Sequence, residues 1–580
     1  MPRRVVPYSL FALLLALLGV FLIWPILLTV RGGFVEPEGG FTLDYLILVF
    51  RDPLLLESMM NSLMIAVCTT VASLLLAMPL AVLAANYRFP GRTLATSLVL
   101  VPLILPPFVG AIGLQNILGR FGAFNALLQA GGLIPSDMPG IDFLGGAVGG
   151  RFWGVVIMEA LHLYPIVFLN LTAALANLDP TLDEAAANLG AGRARRFWRV
   201  TLPLILPGVF AGSTIVFIWS FTELGTPLMF SYTSVLPVQV FWGIQELARS
   251  PRPYALVVVM LGVAALFYLL GRLTLGRRAY AMEGKATVGT TVRPLPGVLG
   301  WLALGVFLLV TALAVLPHLG VVLTSFSDVG AWYRSILPAE WTLEHYGEAL
   351  SHDLAMQSIA NSLIYASLAM VLCLIVGLAI SYLVVRVKVR GGWLLDTLAM
   401  LPLAVPGLVL AFGYVAMSVS WPFGEGDPLA DWLSILGRNP NPLPLLVVAY
   451  AVRRLPYLVR SAAAGLEQTS GSLEEAAWNL GASPLYALRR VVLPLIAANL
   501  VAGAILVFSF AMLEVSDSLV LAQQEGHYPI TKAIWEFYNR LGDGPFLASA
   551  MGVWGMALLT VTLVGASVLM GRKLGAVFRV

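Results

Sequence analysis

The chain has 580 residues, of which 59% are hydrophobic and only 11% are charged. With a mean hydropathy of +0.88, it holds far more apolar surface than a water-soluble globular protein can bury, so the composition predicts an integral membrane protein. The formal net charge of +3 says little, because in a membrane protein the placement of charge matters more than its sum.

The N-terminal stretch MPRRVVPYSLFALLLALLGVFLIWPILLTV begins like a signal peptide. Its apolar run exceeds roughly 20 residues, and no small-residue cleavage site follows it, so we interpret it as a retained first span. The two cysteines, Cys68 and Cys373, both fall in predicted spans. A disulfide framework is therefore not predicted.

Long apolar runs define the predicted membrane spans. Such runs lack the alternation of a barrel strand, so each is predicted to be a helix, and the fold class is an all-α integral membrane protein. About twelve runs are long enough to cross ~30 Å of hydrocarbon: residues 8–30, 58–85, 94–117, 152–175, 204–230, 255–275, 296–317, 358–385, 393–418, 443–463, 495–521 and 547–570.

The distribution of Lys and Arg predicts the orientation. If the N-terminus is cytoplasmic, most of the 34 basic residues fall on the cytoplasmic side, whereas Arg453, Arg454 and Arg460 lie within or near a span. This bias predicts that both termini face the cytoplasm, in a multi-pass protein of the cell (cytoplasmic or inner) membrane.

The sequence repeats itself. NSLMIA at 61 recurs as NSLIYA at 361, and VPLILPPFVGAIG at 101 recurs as LPLAVPGLVLAFG at 401, both at an offset of 300 residues. After the fourth span the offset is 291, because the Gly-rich loop 118–150 is longer than its counterpart. The chain is thus predicted to contain two parallel six-helix repeats, an arrangement typical of transporters.

The repeats set the predicted domain boundaries. The first half covers residues 1–276 and contains a polar loop at 181–203, and the second half covers 298–580 and contains the equivalent loop at 472–494. A linker at 277–297 joins them and is predicted to be cytoplasmic.

The polar loops share a short Ala-rich helix, LDEAAANLGA at 182–191 and LEEAAWNLGA at 473–482. Thr181 and Ser472 each precede a glutamate by three residues, which predicts a capping box at each helix start. Gly190 and Gly481 stand where a left-handed residue would end each helix. A Leu-Pro pair then begins the next span, where proline at a helix start is favoured.

These loops resemble the "EAA" signature of bacterial ABC importer permeases that work with a binding protein. The pattern has Glu-Ala-Ala, a glycine six positions after the Glu, and Leu-Pro eighteen and nineteen positions after it. It is met by Glu184, Ala185, Ala186, Gly190, Leu202 and Pro203, and by Glu475, Ala476, Ala477, Gly481, Leu493 and Pro494. Val200 and Val491 stand where the family usually has Ile.

The resemblance covers nearly the whole chain and implies a fold like that of type I ABC importers. In the family each such helix couples to an ATP-hydrolysing subunit, so the resemblance implies two ATP-binding cassette subunits on the cytoplasmic face and a solute-binding protein outside. It also implies that an external binding protein delivers solute to an outer mouth formed by 31–57, 118–150, 231–254 and their second-half counterparts.

Motifs for chemistry within this chain are absent from the sequence. No G-x-x-x-x-G-K-[ST] phosphate loop occurs, and the nearest approach, EGKAT at 283–287, lacks the first glycine and the final Ser or Thr. The five histidines are scattered, without the spacing of a zinc helix, and no basic patch interleaved with aromatics suggests nucleic acid. We therefore expect a transport subunit that is not an enzyme and needs no cofactor.

Polar residues at membrane depth are the candidate substrate pathway, because they are costly there. Glu223 and Glu514 occupy equivalent positions, and Asp517 follows Glu514 closely. Paired carboxylates suit a hard cation such as ferric iron or a cationic organic solute. Arg453 and Arg454 favour an anion, or pair with the glutamates. For the acidic residues, a structural role in which they bond to a neighbouring helix is an equal alternative.

As a fused two-half permease with two such signatures, the chain most resembles the ferric iron type. Ferric iron is therefore the expected solute. Thiamine, phosphonate, polyamine or another solute is the alternative within the class. A proton-driven secondary transporter with 6+6 repeats is the alternative class, but it gives no role to the doubled helix. A channel or scaffold does not explain the repeat.

Overall fold

The structure of the chain is a computed structural model that describes residues 2–36, 39–145, 151–247, 250–274, 293–424, 426–430, 433–436 and 440–570. Residues 277–292, most of the predicted linker, and the C-terminal residues 571–580 lie outside the described residues. The described chain is almost entirely α-helical, as its apolar runs predict.

The helices of the first repeat are α1 Pro2–Leu18, α2 Trp24–Gly32, α3 Asp44–Arg51, α4 Pro53–Asn86, α5 Arg92–Leu98, α6 Val101–Ile104, α7 Pro107–Leu118, α8 Ala123–Ala130, α9 Phe152–Ala176, α10 Pro180–Asn188, α11 Arg193–Arg196, α12 Leu202–Thr222, α13 Gly225–Met229, α14 Leu236–Gly243 and α15 Arg252–Thr274. Two short strands, β1 Tyr87–Arg88 and β2 Arg293–Pro294, pair in parallel with Tyr87 opposite Arg293.

The helices of the second repeat are α16 Val298–Phe326, α17 Glu344–Ser351, α18 Asp353–Ser381, α19 Gly392–Met400, α20 Gly407–Ser418, α21 Leu443–Gln468, α22 Ser472–Asn479, α23 Pro484–Ala487, α24 Leu493–Leu495, α25 Ala497–Met512, α26 Ser516–Leu521, α27 Ile530–Tyr538 and α28 Gly544–Met570. Short π-helical turns continue α1, α11, α18 and α23.

All twelve predicted segments are helical. Among the described residues, eight helices are long and apolar enough to cross a membrane, and eleven spans result if each of three bent helix pairs counts as one. The remaining predicted span is α21, which is more polar because it carries Arg453, Arg454 and Arg460. The predicted all-α membrane fold is confirmed, with eight to eleven candidate spans among the described residues for the roughly twelve predicted.

The third span of each repeat is broken, which the apolar pattern did not predict. Its two parts meet at 96° in the first repeat and at 104° in the second. Leu105 and Pro106 are extended at the first break, and Pro406 is extended at the second. Proline lacks an N–H donor and disfavours a helical conformation at the residue before it, so both breaks fall at equivalent prolines.

The fifth span of each repeat is shorter than predicted at its far end. The predicted spans ran to 230 and 521, but the helices end at Thr222 and Met512. Glu223 and Glu514 follow these ends, and the short helices α13 and α26 begin after them. The predicted ends were wrong because the apolar composition continues through these turns.

The chain divides into two compact units that do not coincide with the sequence repeats. Of the described residues, unit 1 takes those within 2–52, 239–258 and 344–570, and unit 2 takes those within 53–238, 259–274 and 293–343. The first helix of each repeat thus belongs to the unit built mainly from the other repeat.

Unit 2 is organised around α4, which packs against α9 and α12. Leu80, Leu163, Leu171 and Phe307 are fully buried in its core. The last of these comes from α16, which packs along α7. Gly320 makes this approach close, because a Cβ there would lie 2.8 Å from the Cα of Gly113.

Unit 1 repeats this arrangement with the equivalent helices. Here α18 packs against α21 and α25, and α2 packs along α20. A Cβ at Gly413, the equivalent of Gly113, would lie 2.9 Å from the Cβ of Pro25. The hydroxyl of Tyr414 donates a 2.7 Å hydrogen bond to the carbonyl of Phe21. The same packing scheme in both units agrees with the sequence repeat.

Candidate coupling loops and intramembrane polar clusters

The helix of each EAA loop is capped differently from the sequence prediction. Asp179 Oδ1 accepts a 2.9 Å hydrogen bond from the N–H of Thr181, and α10 begins at Pro180. At the equivalent place Ser470 Oγ accepts a 3.3 Å bond from the N–H of Ser472. The capping boxes predicted at Thr181 and Ser472 are therefore wrong, because the residue two positions earlier already satisfies the free N–H group.

The predicted helix ends are confirmed in both loops. Gly190 has φ +82° and Gly481 has φ +89°. The N–H of Ala191 bonds to the carbonyl of Ala186, and the N–H of Ala482 bonds to that of Ala477, each at 3.0 Å. Together with the bonds of the glycine N–H groups three residues back, these are Schellman motifs, which glycine adopts without side-chain strain.

Both loop helices are exposed to solvent. The signature residues Glu184, Ala185, Gly190, Glu475, Ala476 and Gly481 are exposed, and Ala186 and Ala477 are half-buried. Leu189 and Leu480, equivalent residues just before the glycines, are 88% and 89% exposed. Each loop thus presents an exposed leucine at the end of its Ala-rich helix. An exposed apolar surface of this kind favours contact with another protein.

The two loops are anchored differently. Asp183 pairs with Arg196 of the same loop at 2.9 Å, and the Asp183 side chain remains 39% exposed. The equivalent residue, Glu474, lies 2.9 Å from Arg386 Nε and is only 5% exposed. Its other carboxylate oxygen accepts a 3.1 Å hydrogen bond from the Tyr382 hydroxyl. The second loop helix is thus tied to the end of a membrane helix.

The candidate pathway residues of the second repeat form one ionic cluster. Arg453 Nη1 donates a 2.6 Å hydrogen bond to Glu514, and Arg454 Nη2 pairs with the other carboxylate oxygen. Asp517 lies 3.6 Å from Arg453 and is 1% exposed. The sequence alternative in which the arginines pair with the glutamate is the arrangement observed for Glu514.

Glu223, the equivalent residue of the first repeat, has different partners. Its carboxylate accepts hydrogen bonds from the backbone N–H of Gly225 at 3.1 Å and from Trp219 Nε1 at 3.3 Å. It is half-buried rather than buried. The two equivalent glutamates therefore lie in different electrostatic surroundings, since the first repeat has His162 and Leu163 where the second has its two arginines.

Sequence reasoning missed one intramembrane carboxylate. Glu159 of α9 is 1% exposed and accepts a hydrogen bond from the Ser220 hydroxyl. An acidic residue inside an apolar run was visible as a signal. Tyr450 occupies the equivalent position in the second repeat, so this carboxylate has no acidic counterpart there.

Two equivalent residues of the fourth spans lie against the breaks in the third spans. His162 Nδ1 lies 2.8 Å from the carbonyl of Pro102, just before the first break. Its equivalent, Arg453, places its guanidinium where a Cβ at Gly407 would lie, just after the second break. A helix break leaves backbone groups without helical partners, so a polar side chain from the fourth span is favoured there.

Within the described ranges, no three His, Cys, Asp or Glu side chains are grouped closely enough to hold a metal ion.

Comparison with protein families gives two matches along the chain. The family model described as "binding-protein-dependent transport system inner membrane component" matches residues 77–279 and 374–568. Each match contains one EAA loop, and neither contains the first helix of its repeat.

Individual relatives align over much of the chain. The ferric transport system permease protein of Actinobacillus pleuropneumoniae is 27% identical over 554 residues, which covers 92% of this chain and 74% of the relative. An Fe(3+)-transport system permease protein of Haemophilus influenzae is 24% identical, with 99% of each chain covered. A molybdenum transport system permease protein of Mycobacterium tuberculosis is 34% identical over 211 residues, or 35% of this chain and 74% of the relative.

Proposed function

Since the chain belongs to the family of binding-protein-dependent transport system inner membrane components, we propose that it is a two-half permease of a ferric iron importer. It is a multi-pass membrane protein and a transport subunit rather than a catalytic one. ATP is hydrolysed by partner subunits, and a solute-binding protein presents the cargo. We further propose that two ATPase subunits bind, one at each EAA loop, and that both termini face the cytoplasm.

The observation that carries the proposal is the pair of exposed loop helices, α10 and α22. Each is short, ends in a left-handed glycine, and displays a leucine that is almost fully exposed. An apolar side chain that exposed on both copies is consistent with docking into two equivalent partner surfaces. Because each loop leads into a fifth span, a displacement of the loop helix is passed to a helix that carries a glutamate at its far end.

This arrangement supports an alternating-access mechanism. Closure of the two ATPase subunits on ATP moves the loop helices together, and the spans attached to them rock between inward and outward access. The Schellman motifs matter here because they fix the angle between each loop helix and the segment that follows it. A loop helix that is rigid at both ends transmits a push better than one that frays.

Ferric iron is favoured as cargo by the relatives and by charge. The relatives that align over nearly the whole chain are named for ferric transport. Glu159 and Glu223 in the first repeat place carboxylates near the ends of α9 and α12, and carboxylate oxygens suit a hard cation. In the second repeat Glu514 is already neutralised by two arginines, so we assign the attraction of cargo to the first repeat.

An oxyanion is the second candidate. Arg453 and Arg454 place two guanidinium groups in a membrane helix, and one relative of a single repeat is named for molybdenum transport. If Glu514 released the arginines when the transporter opens, they would attract an anion instead.

The deciding experiment is uptake into proteoliposomes that contain the chain, its ATPase partner and its binding protein. We expect ATP-dependent accumulation of radioactive ferric iron that excess molybdate, thiamine, phosphonate or spermidine does not reduce. Uptake of one of these competitors in place of iron would change the cargo but keep the class. Uptake that continues without the ATPase partner and stops when a proton gradient is collapsed would contradict the class.

A further inference from the structure

The short helices α14 and α27 occupy equivalent positions in the two repeats. The N–H of Leu236 donates a hydrogen bond to Ser62 Oγ at 2.8 Å, and the N–H of Ile530 donates one to Ser362 Oγ, also at 2.8 Å. Ser62 and Ser362 belong to the repeated NSL motifs. These matching bonds fix the register, so that Leu236 corresponds to Ile530.

With this register, Phe241 of α14 corresponds to Trp535 of α27, and the two rings are in contact. Their centroids lie 6.0 Å apart with the planes at 85°, an edge-to-face arrangement. Both residues belong to unit 1. Parallel repeats are related by an axis along the membrane normal, and equivalent residues that touch each other must lie beside that axis.

A lysine is buried at this contact. Lys532 Nζ lies 4.5 Å from the centroid of the Trp535 ring and 5.4 Å from that of Phe241, and its side chain is 5% exposed. Glu536 Oε1 is 3.4 Å away and its side chain is 35% exposed. The equivalent residue in the first repeat is Val238, so this positive charge is present on one helix only.

The groups around Lys532 determine how well its positive charge is tolerated beside the axis. Burial lowers the pKa of the ammonium, and the Glu536 carboxylate opposes that shift. The rings of Phe241 and Trp535 present their negative faces to the cation, which stabilises it without water. A second lysine at Val238 would repel the first, whereas the present arrangement places one ammonium against rings from both repeats.

A buried positive charge beside the axis has a chemical consequence for ions. A small cation that entered between the rings would lose its hydration shell and would also be repelled by the ammonium. Fixed positive charges act in this way as barriers to protons and other cations in narrow pores. Within unit 1, α25 runs from the second EAA loop towards α26 and α27, so the contact lies at the end of this span opposite its coupling loop.

We propose that the contact between Phe241 and Trp535 closes the transport pathway at the end opposite the coupling loops, and that Lys532 makes the closed contact impermeable to small cations. The inference rests on the proposed function only in that a pathway runs between the repeats. It does not depend on which cargo is carried.

Cation leak tests the role of the charge. The whole complex is reconstituted in liposomes without ATP or binding protein, a diffusion potential is imposed, and sodium and proton entry are followed with internal dyes. Lys532→Met keeps an apolar side chain of similar length between the rings, and we expect it to raise cation entry about tenfold or more over the original protein. Lys532→Arg keeps the charge, and Glu536→Gln removes only the partner carboxylate. We therefore expect liposomes with either variant to admit cations no faster than those with the original protein.

Lys532→Met liposomes as tight as those with the original protein would overturn the role of the charge. If Lys532→Met does not insert, the charge is tested with Lys532→Gln under the same conditions, with the same two outcomes.

Reversible cross-linking tests the role of the contact. Phe241→Cys and Trp535→Cys are combined in a chain without Cys68 and Cys373, and a short, reducible thiol cross-linker joins them. We expect cross-linking to abolish ATP-dependent uptake of ferric iron and reduction to restore it. Full uptake by the cross-linked protein would show that this contact does not open during transport.

The two tests separate this inference from the proposed function. If the cargo is not iron, uptake fails before cross-linking as well as after it, whereas the leak measurements need no cargo. ATP hydrolysis stimulated by the binding protein then serves as the readout for the cross-linked pair, and stimulation that survives cross-linking unchanged contradicts the closing contact.

Discussion

Half-buried Arg386 and buried Glu474 form an ion pair, with Nε and Oε1 2.9 Å apart, that joins the second loop helix to the π-helical turn after α18. The N–H of Nε is not aligned with the carboxylate oxygen as a hydrogen bond requires, so the pair acts through charge. The guanidinium is held by Thr469, whose carbonyl accepts a 2.8 Å hydrogen bond. The equivalent Asp183 of the first loop pairs with Arg196 in its own loop.

We expect substitutions of the two equivalent acidic residues to differ in effect. Glu474→Gln leaves the half-buried guanidinium of Arg386 without its counter-charge, a change that costs up to ~3 kcal/mol where the pair is buried. Asp183→Asn disturbs a pair whose acidic side chain is partly exposed, which costs less than ~1 kcal/mol. The measurements are the thermal unfolding midpoint of the purified chain and the ATPase stimulation of the complex, and we expect both to fall more for Glu474→Gln.

A double substitution tests whether the pair itself is responsible. If Arg386→Gln combined with Glu474→Gln is no worse than either change alone, the two side chains act as a pair. Equal effects of Asp183→Asn and Glu474→Gln would contradict the difference in anchoring.

Valine at the loop glycines should uncouple transport from ATP hydrolysis. Gly190 and Gly481 have positive φ, and a Cβ at either position would meet no heavy atom within 4 Å. Any effect of Gly190→Val or Gly481→Val therefore arises from the left-handed backbone, which costs a residue with a side chain roughly 1–2 kcal/mol and a β-branched residue more. We expect the helix ends to shift and stimulated ATPase activity in the reconstituted complex to fall.

Gly192→Val is the matched control for the first loop. It introduces the same side chain two residues later, at φ −64° and also in open space. We expect it to keep normal stimulation. If it is as harmful as Gly190→Val, or if the double variant at 190 and 481 is stimulated normally, the glycine conformation is not what shapes the ATPase contact.

The equivalent glutamates 223 and 514 should not respond alike to Glu→Gln. Glu514 is 3% exposed and pairs with two arginines, so Glu514→Gln should destabilise the chain by ~3–5 kcal/mol and reduce the yield of assembled complex. In Glu223→Gln the amide oxygen can still accept the Gly225 N–H, so assembly should be kept while uptake falls. Co-purification with the ATPase and uptake by the same preparation are measured together.

Two results would argue against these roles. Unchanged uptake by Glu223→Gln would assign Glu223 to structure alone. Normal yield of Glu514→Gln would show that the arginines do not need this carboxylate.

The orientation of the chain is open to a direct test. A reporter fused after Ala186 or Ala477 should be active only in the cytoplasm, and one placed within 125–140 only outside, because the basic residues cluster on the side of the EAA loops. The opposite signal at either loop would reverse the orientation and remove the basis for ATPase contact.

Much of the fold could be predicted because it depends on local patterns. Apolar runs mark helices wherever they lie, and the repeat is visible in motifs such as NSLMIA and NSLIYA. Gly190 and Gly481 could be assigned a left-handed conformation because little else ends a helix so compactly. The breaks at Pro106 and Pro406 could have been inferred from proline, but the surrounding composition is continuous and apolar, and the pattern of spans hid them.

The partners of the polar residues could not be predicted, because they depend on helix packing between distant segments. Nothing near Glu514 in the sequence indicates that Arg453 and Arg454 bind it, and nothing near Glu474 indicates Arg386. The caps at Asp179 and Ser470 are local, but each overlaps an S/T-x-x-E pattern two residues later, and both patterns are typical of a helix start. Nothing near Lys532 in the sequence indicates its contact with Phe241.

The packing of α2 along α20 has a consequence for how the protein is made. The hydrogen bond from Tyr414 to Phe21 joins residues 393 positions apart, so the first helix leaves the ribosome long before the helix it packs against has been translated. Until then its contact face is open to lipid or to other chains. We therefore expect the N-terminal repeat to be degraded when it is expressed alone, and to be rescued when the C-terminal repeat is synthesised from a second gene in the same cell.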